Sequence, residues 1–199
     1  MIKLVVNGKV EKFESSKYAN FGELLDKVSM NLKGMVLSEV KINKKLVPIS
    51  RIDELRNAIL DDELEIEMNF VPLQEFFITT LSDVIEYIDN ITNLLGKVSD
   101  NILLGDNEGF SNIVDLAEGI SSMENLRVNS MKMTGFSPSD FQLKVDGNEV
   151  ADILRNFVEA LESKDLLELS DLLKEKIPVV LDYYKSYFQN ILKTLKQNN

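Results

Sequence analysis

The sequence predicts an α+β protein, with a small mixed domain in front and an antiparallel helical bundle of about four helices behind. Three observations predict it. An Asn7-Gly8 pair separates two short apolar runs near the start. An unbroken four-and-three spacing of apolar residues runs from Phe77 to Ile102. Charge also shifts with the pattern: residues 1–71 carry 11 basic against 12 acidic side chains, and residues 72–199 carry 11 against 21. The boundaries implied are 1–71 and 72–199, with Pro72 as the breakpoint, because the residue before a proline is biased away from helix and proline suits a helix start.

Ile2–Val6 is apolar enough for a strand, and Asn7-Gly8 is a strong hairpin signal because a type I′ turn needs positive φ at both central residues. Val10–Phe13 is then the return strand. Phe21, Leu24, Leu25, Val28 and Leu32 recur at helical spacing, with Asn20 as N-cap and Gly34 as the stop. Two short strands follow at Val36–Ile42 and Lys45–Val47, turning at Asn43-Lys44. A helical turn over Ile52–Ala58 leads through Asp61-Asp62 to the alternating strand Leu64–Met68.

That order, two strands, a helix, two strands, a short helix and a last strand, resembles the β-grasp or ubiquitin-like fold. The run Leu60-Asp61-Asp62-Glu63-Leu64-Glu65-Ile66 is similar to the entry into the last strand of sulfur-carrier members. The resemblance implies a docking surface, since modifiers and sulfur carriers of this fold use a free Gly-Gly tail, and here the last strand runs on through Asn69-Phe70-Val71-Pro72. Ferredoxin-type members hold a cluster with cysteines, and this sequence has none.

Behind Pro72 the heptad seam comprises Phe77, Leu81, Val84, Ile88, Ile91, Leu95, Val98 and Ile102, ended by Gly105-Asp106. It also admits a coiled-coil homodimer. A second helix carries Phe110, Ile113, Val114, Ala117 and Ile120 and extends toward Met131. Thr134–Gly147, rich in Gly, Pro, Ser and Asp, is a long connection. A third helix, 148–162, turns Val150, Ile153, Leu154, Phe157, Val158 and Leu161 to one side. The fourth starts near Asp165 and runs past Leu195, with a kink or break expected at Pro178.

With no His and no Cys, serine triads, cysteine nucleophiles and ordinary zinc sites are excluded, and no Gly-rich phosphate loop is present. No cofactor is called for. Net charge of −11 disfavours nucleic acid and anionic membrane as partners. The lack of disulfides, of a signal peptide and of a membrane-length apolar stretch reads as a cytoplasmic protein.

Carboxylates are the remaining reactive groups. Glu159-Ala-Leu-Glu162 looks superficially like the Glu-x-x-Glu of helical nucleotide pyrophosphatases, which implies Mg²⁺ as one alternative. With 33 acids in the chain such pairs are frequent, and a solvated helix face explains this one. The residues assigned to partner binding are Met131, Met133, Phe136 and Phe141 around the long connection, with Tyr183 and Tyr187 on the last helix. The function read from these features is non-catalytic protein–protein interaction or scaffolding. A second alternative is a bundle that shields a partner's helix, as export chaperones do, and it predicts an exposed apolar groove beside Thr134–Gly147.

Overall fold

A computed structural model describes residues 1–197. The chain divides into two compact units, Met1–Thr79 and Thr80–Asn199. In the first, β1 (Ile2–Val6), β2 (Lys9–Phe13), α1 (Phe21–Met30), β3 (Met35–Ile42), β4 (Lys45–Val47) and β5 (Glu65–Pro72) follow the order read from the sequence. The five strands form one mixed sheet in the order β2-β1-β5-β3-β4. The central pair β1–β5 is parallel and every other pairing is antiparallel. This arrangement is compatible with a β-grasp-like start.

Local chemistry explains each step. Asn7 and Gly8 take φ of 47° and 78° at the β1–β2 turn, the conformation that Asn and Gly adopt at least cost. Asn7 also reaches across to β5: its side-chain oxygen accepts from the Phe70 amide at 2.7 Å and its side-chain amide donates to the Phe70 carbonyl at 3.1 Å. Helix α1 begins in a reciprocal cap, with Asn20 accepting from the Glu23 amide and Glu23 accepting from the Ala19 amide. Period-two alternation sends Ile2, Leu4, Ile66, Met68 and Phe70 into the core beside Phe21 and Leu24. Ion pairs such as Lys3–Glu65 and Lys41–Glu39 hold half-exposed positions on these strands.

Strand β5 runs on past the alternating stretch through Asn69-Phe70-Val71-Pro72, as the sequence implies. Residues Asn69 to Pro72 find partners in Met35 to Glu39, past an irregularity between Leu37 and Glu39 where the Ser38 hydroxyl donates to the Asn69 carbonyl. The helical turn expected over Ile52–Ala58 lies three residues earlier, as a 3-10 helix over Ile49–Leu55.

The helices that follow are α2 (Leu73–Leu103), α3 (Asn107–Thr134), α4 (Gly147–Ser163), α5 (Leu166–Asp171) and α6 (Ile177–Gln197). The expected seam is inward: Leu81, Ile88, Leu95, Val98 and Ile102 are buried within the chain itself. Between α2 and α3 the chain turns sharply at Gly105. Gly109 then lies so close to the Ile102 backbone that a Cβ would stand only 3.0 Å from its nitrogen. Asp106, Asp146 and Asp165 cap α3, α4 and α5 by accepting from backbone amides.

The break expected at Pro178 takes the form of a π turn over Leu172–Lys176, in which the Ile177 amide donates to the Leu172 carbonyl five residues back. Widening the turn there leaves room for the proline ring, and α6 carries Pro178 as its second residue. Helix α2 is tied to α5–α6 by the buried pair Ser99–Ser170 (2.6 Å) and by Asp100–Lys174 and Asp89–Lys185. Residue numbers fall on one helix as they rise on the other, so the two run antiparallel. Both α3 and α4 pack on α6, but they do not pack closely on each other.

Replacing Asn7 by Ala removes two bonds to Phe70 and a residue suited to positive φ, and is expected to cost about 1–3 kcal/mol. Hydrogen exchange at the Phe70 amide in the full chain measures it. Protection there should fall by about an order of magnitude per 1.4 kcal/mol lost, with the amides of α6 unaffected.

Candidate functional site

The gap between α3 and α4 is an open, mostly apolar groove of about 890 Å³. Ala117, Ile120 and Ser121 of α3 form one wall, and Val150, Leu154, Val158 and Leu161 of α4 form the other. Tyr183 and Tyr184 of α6 line it from beneath, and Phe141, Leu143 and Val145 of the connection close one end. A second hollow of about 500 Å³ extends it past Ala117, Ser121 and Leu161 to Phe110 and Val114.

Helix periodicity explains why the groove is apolar. Ile113, Leu116, Ile120 and Met123 are the buried stripe of α3, whereas Phe110 (38% exposed) and Val114 (57%) lie one step around the helix. On α4, Val150, Ile153, Phe157 and Ala160 are buried and Val158 is 50% exposed. Each apolar stripe is therefore wider than the helix beneath it can cover. The expectation that Phe110, Val114 and Ala117 turn inward with Ile113 and Ile120 is corrected: all three are exposed.

Ser121, Asn125, Ser139 and Asp146 are polar positions in the lining, and one linked polar group, Glu124 with Arg127 and Tyr184, interrupts it. Both nitrogens at the fork of Arg127 donate to Glu124 (2.7 and 2.5 Å), the Tyr184 hydroxyl donates to the same carboxylate at 3.1 Å, and a third Arg127 nitrogen contacts the Met131 sulfur. The Arg127 hydrogen bond, followed by its charge and by Tyr184, holds the Glu124 carboxyl below its ordinary value of 4.5, against the opposing effect of burial. Burial first, then the nearby Glu124, pushes the Tyr184 phenol well above its ordinary range. A carboxylate so stabilised is a weak base and a phenol so raised is a weak acid, which suits orientation of a bound group rather than proton transfer.

The six residues assigned to partner binding do not converge on one site. Phe141 and Tyr183 line the groove. Phe136, Phe141 and Tyr187 form an aromatic chain with centroid separations of 5.9 Å at each step, and the buried Tyr187 hydroxyl donates to the Phe136 carbonyl at 2.8 Å. That chain anchors the connection to α6. Burial pushes the Tyr187 phenol up to about 12, so this donor keeps its proton at neutral pH. Met131 touches Arg127, and Met133 is exposed at the end of α3.

Glu124, Arg127, Val158 and Leu161, which line the groove, were not among the residues singled out for binding. Val158 and Leu161 had a signal in the sequence, an apolar stripe on the third expected helix wider than one neighbour can bury; Glu124 and Arg127, on α3, had none. Glu159 and Glu162 are exposed, and among the described residues no group of three or more acidic side chains could hold a metal ion. No helix among those residues is long and apolar enough to cross a membrane.

Residues 79–196, more than half of the chain, match a family described as Domain of unknown function (DUF8042). Comparison with curated proteins and with solved structures gave no match.

Two outcomes test this geometry. Because the Glu124 carboxyl is depressed in the folded state, its contribution is complete above its ordinary value of 4.5 and is lost as pH falls through the folded value. The stability difference between the native chain and Glu124→Gln, followed by thermal unfolding from pH 7 downward, should therefore narrow in acid. Tyr187→Phe should cost about 1 kcal/mol and speed hydrogen exchange in the 135–146 connection.

Proposed function

We propose that this chain, which belongs to the family described as Domain of unknown function (DUF8042), is a non-catalytic cytoplasmic interaction protein that engages a protein partner through the α3–α4 groove. In this reading the front domain is a β-grasp module and the rear is an antiparallel four-helix bundle with one interhelical seam left open. The strand order β2-β1-β5-β3-β4 with a parallel central pair supports the first assignment. The antiparallel run of α2 against α5–α6 and the packing of α3 and α4 on α6 support the second.

The observation that carries the reading is the exposure of Phe110, Val114 and Val158 along the two lips of one groove. Scattered apolar residues on a surface call for no explanation, but a contiguous apolar channel bounded by rigid helices is a binding feature. The same groove favours the chaperone-like form of the reading, in which the bundle covers an apolar helix of its client, because it lies beside the Thr134–Gly147 connection where that form requires it.

A photoreactive residue placed at Val158 and, separately, at Leu94, an exposed position on α2, tests the reading in the native cell. A discrete adduct is expected from Val158 alone, and it should vanish when Val114→Glu is added. Identical adducts from both positions, or none from Val158, would overturn it.

A further inference from the structure

We infer that the occupant of the α3–α4 groove is an amphipathic helix from a partner protein, its apolar stripe flanked by lysine and arginine. This rests on the reading above and names the class of partner. The first argument is shape. The lining runs from Phe110 to Arg127 along α3 and from Gly147 to Leu161 along α4. At 1.5 Å per residue these walls are about 25 and about 21 Å long, which matches a helix of about 14–17 residues. Two helical walls over a helical floor present ridges that interdigitate with another helix, and such grooves take anchors at i, i+3, i+4 and i+7.

The second argument is charge. The two arginines nearest the groove are already matched, Arg127 by Glu124 and Arg155 by Asp152. Among the described residues Glu118, which lines the groove, and the exposed Glu162, the neighbour of Leu161 in sequence, form no ion pair, while Asp146 in the lining is taken up by capping α4. Residues 72–199 as a whole carry ten more acidic than basic side chains. That field attracts a basic helix and opposes a second copy of this chain, which would bring the same charge. An apolar groove with Glu118 at its edge, in a half of the chain with an acidic excess, therefore selects an apolar stripe with basic borders.

The test uses the purified full chain and three fluorescent peptides of about 18 residues. One has a leucine stripe bordered by lysines, one has glutamates in place of the lysines, and one scrambles the lysine peptide so that no stripe forms. Anisotropy titration should show the lysine-bordered peptide binding at least about ten-fold more tightly than either control, and weakening as salt rises. Val158→Glu should abolish the difference between the striped and scrambled peptides. Glu118→Lys with Glu162→Lys, both at exposed positions, should shift preference toward the glutamate-bordered peptide.

Equal binding of the lysine and glutamate peptides would overturn the charge assignment while leaving the groove as a helix site. Equal binding of the striped and scrambled lysine peptides would reduce the effect to electrostatics and overturn the helix. Failure of all three peptides, with the Val158 adduct still formed in cells, would overturn the helix but not the interaction reading. Failure of both experiments would remove both.

Discussion

The helical half depends on one crowded surface, the aromatic face of α6. Tyr183, Tyr184, Tyr187 and Phe188 are all buried, and successive rings meet at centroid distances between 5.3 and 6.3 Å. Rings of this size hold neighbouring helices apart while still giving each a large area to cover. Both α3 and α4 rest on α6, whose Tyr183 and Tyr184 line the gap between them. The open seam is in keeping with packing around a bulky column, which also supplies the Tyr184 hydroxyl that meets Glu124 of α3 at the groove.

Against that background the polar interior is economical. Ser99 and Ser170 bury hydroxyls but satisfy each other, which lets α2 approach α5 with minimal side-chain bulk between them. Glu124 and Arg127 likewise complete each other at the edge of an apolar surface. Among the described residues, no side-chain nitrogen or oxygen that is fully buried lacks a hydrogen-bond partner. The buried polar atoms around the groove are therefore already matched, as a surface that takes an apolar partner requires.

Much of this was legible in the residues. Asn7-Gly8 announced a hairpin because few pairs accept two consecutive positive φ angles, and the α2 seam was legible because its period runs unbroken over seven turns. What stayed hidden depends on neighbours that sequence spacing does not reveal. Phe110 and Val114 share a stripe with Ile113, and only the placement of α4 decides that they face water. Asn69 in β5 is a poor strand former, and its partner Glu39 on β3, unlike the continuation of the strand itself, could not be read from the sequence. Pro178 signalled an interruption but not its form, since a widened turn and a break both relieve the same clash.

Because β1 and β5 lie side by side as parallel neighbours at the centre of the sheet, the first strand of this domain to be synthesised waits for the last. Until residues near Met68 emerge, β1 has only the hairpin with β2, and β3 only its short pairing with β4; two-stranded pieces of that kind are marginal in water. Contacts so distant along the chain slow folding. Nascent chains halted before that point would consequently expose unpaired strand edges, and the step most vulnerable to aggregation would come before the first helix of the rear is complete.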